Sequence, residues 1–388
     1  MGVRAVAGAG VFGAAATVSL WTATAGSRLP PSWFSHGGAA PVVIGPTPRG
    51  LVDTAPETCA SCHAEIAAEW RGSQHARAFT DPVFQAAYAL EPLVFCRNCH
   101  APENSGRDPT GAAAALGVAC AACHVRNGTV LTGATPRPDS PHAVAPGGLE
   151  SARFCAACHQ FNFVSPDRHG RFTETAEVQQ DTFGEWARSS AAEDGVTCQH
   201  CHMPWVTSPN GRRHRSHAFP GGWDADFVRS AVFAHVTATR EGEDVVVVAT
   251  IEPRAIGHAF PTGDLFRRAE LRVAAGGQSS VLRLDRQFED HRVLRPGVGV
   301  VIERRQVRDT RVAPPSGEPA IARTLRLTAV AAAITDVHWA LDYHIMPTPM
   351  TAASQHDEAP VRTHALQSGV VPIATPAVPA SPTPRSFE

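Results

Sequence analysis

The sequence predicts a mostly α-helical and irregular region followed by an all-β, sandwich-like domain. Residues 59–202 hold five short motifs of cysteine and histidine, separated by stretches that Gly and Pro interrupt, which favours short helices and long loops. After about Ser230, apolar and polar residues alternate with a period of two in runs rich in β-branched side chains. Such alternation is typical of antiparallel strands with one buried face.

The N-terminus has the character of an export signal. Arg4 is followed by an uncharged stretch that ends near Ala23-Thr24-Ala25, which fits an A-x-A cleavage rule. An uncleaved membrane anchor is the alternative, because the stretch is long enough to span a bilayer. We predict a signal peptide or N-terminal anchor at 1–25 and a linker rich in Pro, Gly and Ser at 26–54.

All ten cysteines of the 388-residue chain belong to five copies of Cys-x-x-Cys-His. This pattern is the attachment signature of c-type haem, in which two thiols bind the porphyrin and the adjacent imidazole binds the iron. The predicted attachment residues are Cys59, Cys62, Cys96, Cys99, Cys120, Cys123, Cys155, Cys158, Cys198 and Cys201. The predicted proximal iron ligands are His63, His100, His124, His159 and His202.

Two other kinds of site use closely spaced cysteines, namely structural zinc sites and disulfide frameworks. Zinc sites pair two Cys-x-x-Cys arms, or one arm with a histidine pair, and give no reason for a His after every second Cys. We therefore predict a pentahaem cytochrome domain at 55–228, with five covalently bound haems c and their iron. At about 29 residues per haem, the haems themselves must supply much of the apolar interior.

The ligand on the opposite face of each iron must come from histidine, or the face is open. Only four methionines exist, and Met203 follows His202 too closely to reach the opposite face. The chain contains no lysine, which excludes a lysine-ligated haem of the nitrite-reductase kind. The predicted distal ligands are His75, His142, His217, His214 and His258. Three reserves are His200, His169 and His235, and His200 is expected to be a hydrogen-bonding neighbour of its motif instead.

The context of two candidates supports their selection. His75 lies on a helix-like segment twelve residues after His63 and can project from a rigid element. His258 lies at the edge of a strand in the second domain and could reach back across the domain interface.

The period-two region is predicted to form a β-sandwich-like domain at 229–349. Its predicted strands are Val232–Thr239, Asp244–Ile251, Ala269–Ala274, Ser280–Leu284, Gly299–Val307, Ile321–Ala333 and Asp336–His344. The helices predicted in the first region include Ala64–Arg77 and Thr175–Arg188. Repeated Pro and Ala predict a disordered tail at 350–388.

Several strings resemble a known superfamily. They are Trp70-x-x-Ser73-x-His75-x-x-Ala78, Gly117–His124, Phe154–Phe161, Gly195–Pro204 and His217-x-Phe219-Pro220-Gly221-Gly222. The segment from Thr54 to Trp223 resembles the multihaem cytochromes related to the tetrahaem electron carrier of nitrifying bacteria. Hydroxylamine oxidoreductases and pentahaem nitrite reductases are in the same superfamily, and Gly257–Arg268 resembles a β-domain appended to some members.

The resemblance implies bis-His haems packed in alternating parallel and perpendicular pairs. At Trp223 the chain departs from it, because relatives often carry His after the Gly-Gly. One haem would then lack that ligand or recruit His214 or His235 in its place.

Two functional classes follow from these features. The favoured one is an electron carrier, because bis-His irons change coordination on neither face. The alternative is an oxidoreductase with one five-coordinate haem that acts on a small nitrogen or sulfur compound. A hydroxylamine-oxidoreductase-like haem would need a tyrosine cross-link, and the only tyrosines, Tyr88 and Tyr343, are not beside a motif in sequence.

The remaining expectations concern location and partners. Because c-type haem is attached outside the cytoplasm, we expect a periplasmic or otherwise exported protein. A formal charge of −2 without blocks of like charge argues against nucleic-acid binding. The expected partners are redox proteins, with a membrane quinol-oxidising complex or an outer-membrane complex as candidates.

Overall fold

The computed structural model describes residues 44–90, 92–104, 108–133, 135–166, 172–297, 299–316, 321–345 and 363–375. The predicted signal peptide or anchor, most of the linker and the reserve candidate His169 lie outside these residues. The described part of the linker, 44–54, contains neither helix nor strand. None of the helices in the described ranges is long and apolar enough to cross a membrane.

The first half of the chain consists of short helices, short strands and irregular connections. The helices are α1 (Pro56–Ala60), α2 (Ala64–Gly72), α3 (Pro82–Leu90), α4 (Val94–His100), α5 (Cys120–His124), α6 (Ala152–His159), α7 (Thr182–Ala187), α8 (Ser190–Glu193), α9 (Cys198–His202) and α10 (Ala225–Ala231). The strands are β1 (Val125–Arg126), β2 (Thr129–Thr132), β3 (Val144–Pro146), β4 (Phe161–Pro166), β5 (Phe172–Gln180), β6 (Trp205–Thr207) and β7 (Arg213–Arg215). They form the sheets β1-β2-β3, β4-β5 and β6-β7.

Two helix predictions need correction. The helix predicted to reach Arg77 ends at Gly72, where Ser73 turns to extended backbone and its hydroxyl donates to Trp70 O at 2.7 Å. The helix predicted over Thr175–Arg188 was wrong in its first half, which is strand β5. Pairing with β4 overrides the weak helical pattern there, and helix α7 begins only at Thr182.

The second half is β-rich. Its strands are β8 (Val232–Glu241), β9 (Asp244–Pro253), β10 (Arg268–Ala275), β11 (Gln278–Leu284), β12 (Arg286–Arg295), β13 (Gly299–Asp309), β14 (Ile321–Leu327), β15 (Asp336–His344) and β16 (Thr363–Ala374). Seven of them form one sheet in the order β11-β10-β15-β16-β8-β9-β14, and β12 pairs with β13 as a separate hairpin.

This sheet is curled so that its two edge strands, β11 and β14, contact each other. The sequence predicted a sandwich-like arrangement, whereas the structure has one nearly closed sheet. Alternation identifies the buried face of a strand but not how a sheet closes. In β9 the alternate residues Val245, Val247, Ala249 and Ile251 have no exposed surface and form the centre of the core.

Strand β16 corrects the predicted disordered tail. Thr363–Ala374 pairs antiparallel with β15 and, at its end, parallel with β8. Its Leu366 and His364 are buried at 7 % and 6 % exposure. The remainder of the predicted tail lies outside the described residues.

Polar contacts join the two halves. Arg286 on β12 donates to the carbonyl oxygens of Val178 and Gln179 on β5, both at 2.7 Å. Glu185 on α7 forms an ion pair with Arg311, which follows β13, at 2.7 Å. Both side chains of this ion pair are buried, so it is a buried contact between the β-rich part and the helical part.

Candidate haem-binding site

A connected cavity of about 3400 Å³ runs along the helical part and its border with the β-rich part. All ten cysteines of the motifs, their five histidines and the five predicted distal histidines line it. Divided among five motifs, the cavity offers about 680 Å³ each. That share lies within the roughly 300–1,000 Å³ of pockets that hold one small molecule. The space and the donor set therefore fit a haem at each motif.

Local helix geometry arranges each motif for attachment. In α4, α5, α6 and α9 the two cysteines are three residues apart and the histidine follows at the fourth position, so all three side chains share one helix face. All ten cysteines are free thiols. The described residues contain no group of three or more His, Cys, Asp and Glu side chains that could hold one metal ion.

Sulfur contacts show which motifs are neighbours. Three pairs of thiols from different motifs are in hydrogen-bonding contact, namely Cys59 with Cys120, Cys99 with Cys158, and Cys155 with Cys198. Cys123 also lies close enough to Cys158 for their charges to interact. The motifs are therefore adjacent in the order first, third, fourth and fifth, with the second beside the fourth.

Backbone carbonyls orient five of the imidazoles. A carbonyl oxygen can only accept, so each ring carries its proton on Nδ1 and leaves Nε2 free to bind a metal. The contacts are His100 with Ala78 O (2.8 Å), His124 with Leu131 O (2.9 Å), His202 with Pro220 O (2.7 Å), His217 with Arg215 O (2.8 Å) and His258 with Ala259 O (2.9 Å).

Three proximal histidines face a predicted distal histidine at nearly constant separation. Ring centres are 6.1 Å apart for His124 and His217, 6.3 Å for His202 and His258, and 6.3 Å for His159 and His75. A metal–nitrogen bond of about 2.0–2.1 Å and a ring radius of about 1.1 Å put two imidazoles on one metal about 6.3 Å apart. The observed separations match this value.

For the first motif, the predicted distal histidine is His142. Burial lowers the pKa of His63, and the charges of Arg212, His142 and His124 lower it further, so His142 is near enough for its charge to act on His63. The Nδ1 atom of His142 is buried and has no hydrogen-bond partner in the described ranges. The segment is held in place by Arg49, whose carbonyl accepts from Ala143 N at 2.9 Å.

Burial keeps these imidazoles neutral, which metal ligation requires. Burial, together with the charges of neighbouring histidines, lowers the pKa of His75 to about 3 and the pKa values of His159 and His217 to about 4. Phe219 packs edge-on against His75 and His217, at 4.3 and 5.7 Å between ring centres. The backbone of Phe219 has a φ of 48°, which is unusual and strained for a non-glycine residue. This conformation holds the Phe219 ring between the two histidines.

The contacts of His214 argue against its predicted role as a ligand. Its Nε2 lies 3.1 Å from Glu69 Oε1 and its Nδ1 lies 3.2 Å from Ser208 Oγ, so both nitrogens have polar neighbours. His217, three residues later, faces His124 instead. His200 is occupied as well, since its Nδ1 accepts from Thr197 N at 2.9 Å and caps α9. The reserve candidate His235 is exposed on β8.

His100 differs from His124, His159 and His202. No histidine in the described ranges forms a ring contact with it, and Phe84 stacks on its face with ring centres 3.8 Å apart. Burial lowers the pKa of His100, and the carboxylates of Asp264 and Asp81 act in the opposite direction.

Tyr88 lies beside this motif, contrary to the expectation from sequence. Its hydroxyl donates to Asp108 Oδ1 at 2.6 Å and accepts from Arg97 Nη1, inside the motif, at 2.9 Å. Hydrogen-bond partners far apart in the chain gave no signal for this contact.

Comparisons with known proteins agree with this geometry. The family described as cytochrome c554 and c-prime matches residues 58–125, which hold the first three motifs. The solved structure of a penta-heme cytochrome c552 from Thermochromatium tepidum is 19% identical and superposes with a TM-score of 0.59. That likeness covers 84% of this chain and 100% of the other.

Two further solved structures have much lower similarity. One is AvmM, which catalyses macrocyclisation in alchivemycin A biosynthesis, at 13% identity and a TM-score of 0.17, over 41% of this chain and 93% of that one. The other is the N-terminal domain of the Streptococcus gordonii adhesin Sgo0707, at 11% identity and a TM-score of 0.15, over 37% of this chain and 32% of that one. No curated protein matches the chain. The family match and the shared fold support a multihaem c-type cytochrome.

Proposed function

We propose that this protein is an exported pentahaem cytochrome that transfers electrons through a row of mainly bis-His haems. The observation that carries the proposal is the set of three histidine pairs with ring centres 6.1–6.3 Å apart, each with one motif histidine and one histidine from elsewhere in the chain. For His63 the proposed partner is His142, whose charge acts on it. Bound haem would supply reversible one-electron transfer at iron.

The residues of the chain have three tasks in this function. Ten cysteines provide the attachment points, and contacts between thiols of different motifs link the motifs into a continuous row. Eight paired histidines hold both faces at four motifs, and backbone carbonyls fix the direction of several of these rings. Rigid, doubly held sites need little rearrangement when charge changes, which favours transfer over substrate binding.

Low-temperature electron paramagnetic resonance of the oxidised protein tests the proposal. We expect low-spin ferric signals from four sites, because each has two imidazoles within reach. Pyridine haemochrome analysis should give five haems per chain. High-spin signals from most sites, or absence of the sharp absorption of reduced c-type haem, would contradict it.

His217→Ala and His214→Ala form a matched pair of variants three residues apart. Removal of His217 is expected to convert one low-spin signal to high-spin, because it removes the imidazole opposite His124. Removal of His214 should leave all signals unchanged, since its ring nitrogens contact Glu69 and Ser208. A spin change in the His214 variant alone would reverse this assignment.

A second candidate function rests on His100. Because no histidine ring in the described part of the chain pairs with it, its motif is the candidate for an open face that binds a small nitrogen or sulfur compound. A high-spin ferric signal that responds to nitrite, hydroxylamine or cyanide would support this function. His169→Ala is the control. A new high-spin signal in that variant would identify His169 as a ligand and would contradict an open face at the His100 motif.

Glu103 predicts a pH dependence of the reduction potentials. Burial raises the pKa of Glu103 to about 7, although a hydrogen bond from Ala122 N at 3.1 Å acts to lower it. The charge of Glu103 acts on Cys59 and Cys120. An ionised carboxylate stabilises ferric iron, so the potentials of the first and third haems should fall as pH rises through about 7.

The slope should not exceed about 59 mV per pH unit, the limit for one proton per electron. Potentiometric titrations from acid to alkaline pH would measure it. Glu103→Gln should flatten this dependence, whereas Glu65→Gln, an exposed glutamate on α2, should leave it intact. Equal slopes in the two variants would show that Glu103 is not the coupled group.

A further inference from the structure

Helix α2 contacts both sides of the third motif through two adjacent residues. Trp70 is buried, and its Nε1 donates to Val118 O at 2.8 Å, two residues before Cys120. Glu69, the residue before it, accepts from the backbone N of His217 through Oε2 at 2.8 Å. One helix therefore holds the segment that leads into the motif and the segment that carries the histidine opposite it.

The second oxygen of Glu69 has a partner as well. Its Oε1 lies 3.1 Å from His214 Nε2, and His214 Nδ1 lies 3.2 Å from Ser208 Oγ. Because a carboxylate can only accept, His214 carries a proton on Nε2 and donates it to Glu69. Both oxygens of Glu69 are thus bound by residues that lie three positions apart, which fixes the orientation of the carboxylate.

These contacts do not depend on what fills the cavity. Glu69 lies behind the residues that line the cavity, and its side chain is 26 % exposed. Its two partners are groups of the chain itself, 148 and 145 residues away in sequence. The ring of His217 is held separately, since its Nδ1 donates to Arg215 O at 2.8 Å. With backbone and ring both held, this imidazole has little freedom to shift or rotate.

We propose that Glu69 is a positioning residue for the third haem, which holds His217 opposite His124 and stabilises ferric iron there through its negative charge. The inference rests on the proposed electron-transfer function and names the group that sets one site of the row. The two rings lie 6.1 Å apart with an angle of 27° between their planes.

The charge of Glu69 acts on this ligand in the expected direction. Burial lowers the pKa of His217 to about 4, whereas the charge of Glu69 acts to raise it. A negative charge that favours a positive ring also favours the more positive, oxidised state of an iron bound to that ring.

Glu69→Gln in the full-length, haem-loaded protein tests the role of the charge, because the amide oxygen can still accept from His217 N. The third haem is identified by the paramagnetic resonance signal that His217→Ala converts to high-spin. We expect its ferric-to-ferrous equilibrium to shift about tenfold towards ferrous iron, which corresponds to a rise of ~59 mV for one electron. A potentiometric titration followed by paramagnetic resonance measures the shift. The matched control is Glu65→Gln, an exposed glutamate on the same helix, and should leave this potential unchanged.

Glu69→Ala tests the positioning role, because it leaves His217 N without its acceptor. The g values of a bis-His ferric haem depend on the angle between its imidazole planes, so we expect the third signal to move as well as its potential. His214→Ala keeps the bond from His217 N to Glu69 and should leave the g values unchanged. Pyridine haemochrome analysis should give five haems in each variant, and Glu69→Gln decides the outcome if Glu69→Ala loses haem.

Two results would overturn the role of Glu69. One is a third signal with wild-type potential and g values in both Glu69 variants. The other is the same change of g values in His214→Ala as in Glu69→Ala, which would assign the effect to His214. Either result, with low-spin signals in the wild type, contradicts this role alone. Absence of low-spin signals in the wild type contradicts the electron-transfer function, whatever the Glu69 variants do.

Discussion

His258→Ala is expected to convert one of the low-spin irons to high-spin. It should also raise the midpoint potential of that iron by on the order of 100 mV, which is a part of the roughly 0.8 V over which axial ligands tune haem. The ring of His258 lies 6.3 Å from that of His202, with an angle of 18° between the planes, and is held by a hydrogen bond to Ala259 O. Loss of this imidazole leaves the face opposite His202 without its ligand. Paramagnetic resonance and a potentiometric titration would measure both effects.

The effect should be confined to one site, because His258 pairs with His202 alone among the motif histidines. The matched control is His235→Ala, an exposed histidine on β8 of the same β-rich part, which should leave all five potentials unchanged. If His258→Ala left the spin states as they are in the wild type, another residue would have to ligate opposite His202.

The position of His258 gives the β-rich part a role in the site. Its loop reaches the helical part closely at Gly257, where an added Cβ would lie 3.1 Å from the Cβ of Ala191. A side chain at this position would require Ala191 to move by a few tenths of an ångström. The loop thus places an imidazole from one half of the chain opposite His202 in the other half.

Local features could be predicted from the sequence, whereas features that depend on tertiary contacts could not. The Cys-x-x-Cys-His motifs carry their chemistry within five residues, and the structure brings all of them to one cavity. The distal histidines needed tertiary information. His217 and His214 both follow the fifth motif, and tertiary contacts separate them: Glu69 and Ser208 contact His214, whereas His217 faces His124 at 6.1 Å.

The β-rich part shows the same limit. Strand β9 alternates strictly, and its bounds were predicted within two residues. The strand predicted over Ile321–Ala333 was wrong at its end, because β14 stops at Leu327 and a turn follows. Strand β16 was missed because repeated Pro and Ala in the tail hid it, and it is stabilised by pairing with β15, a partner from another part of the chain. The hairpin strand β12 was also missed, since it has only a few apolar residues and most of its side chains are polar.

Arg311→Met is expected to lower the free energy of unfolding by about 3–5 kcal/mol, because it leaves a buried carboxylate without its counter-charge. Glu185 is 2 % exposed, and its Oε1 lies 2.7 Å from Arg311 Nη1. Thr262 donates to the other carboxylate oxygen at 2.6 Å but carries no charge. Urea unfolding followed by far-ultraviolet circular dichroism would measure the loss.

Two further variants separate the buried charge from the loss of the arginine side chain. Arg326→Met removes an arginine paired with Glu241 at 2.9 Å in the same part of the fold, where both side chains are about half exposed, and should cost no more than about 1 kcal/mol. Glu185→Gln combined with Arg311→Met should recover most of the stability, because removal of both charges leaves no buried ion and the amide can still accept from Thr262. A double variant as unstable as Arg311→Met alone would mean that the packing of the arginine, and not its charge, joins the two halves.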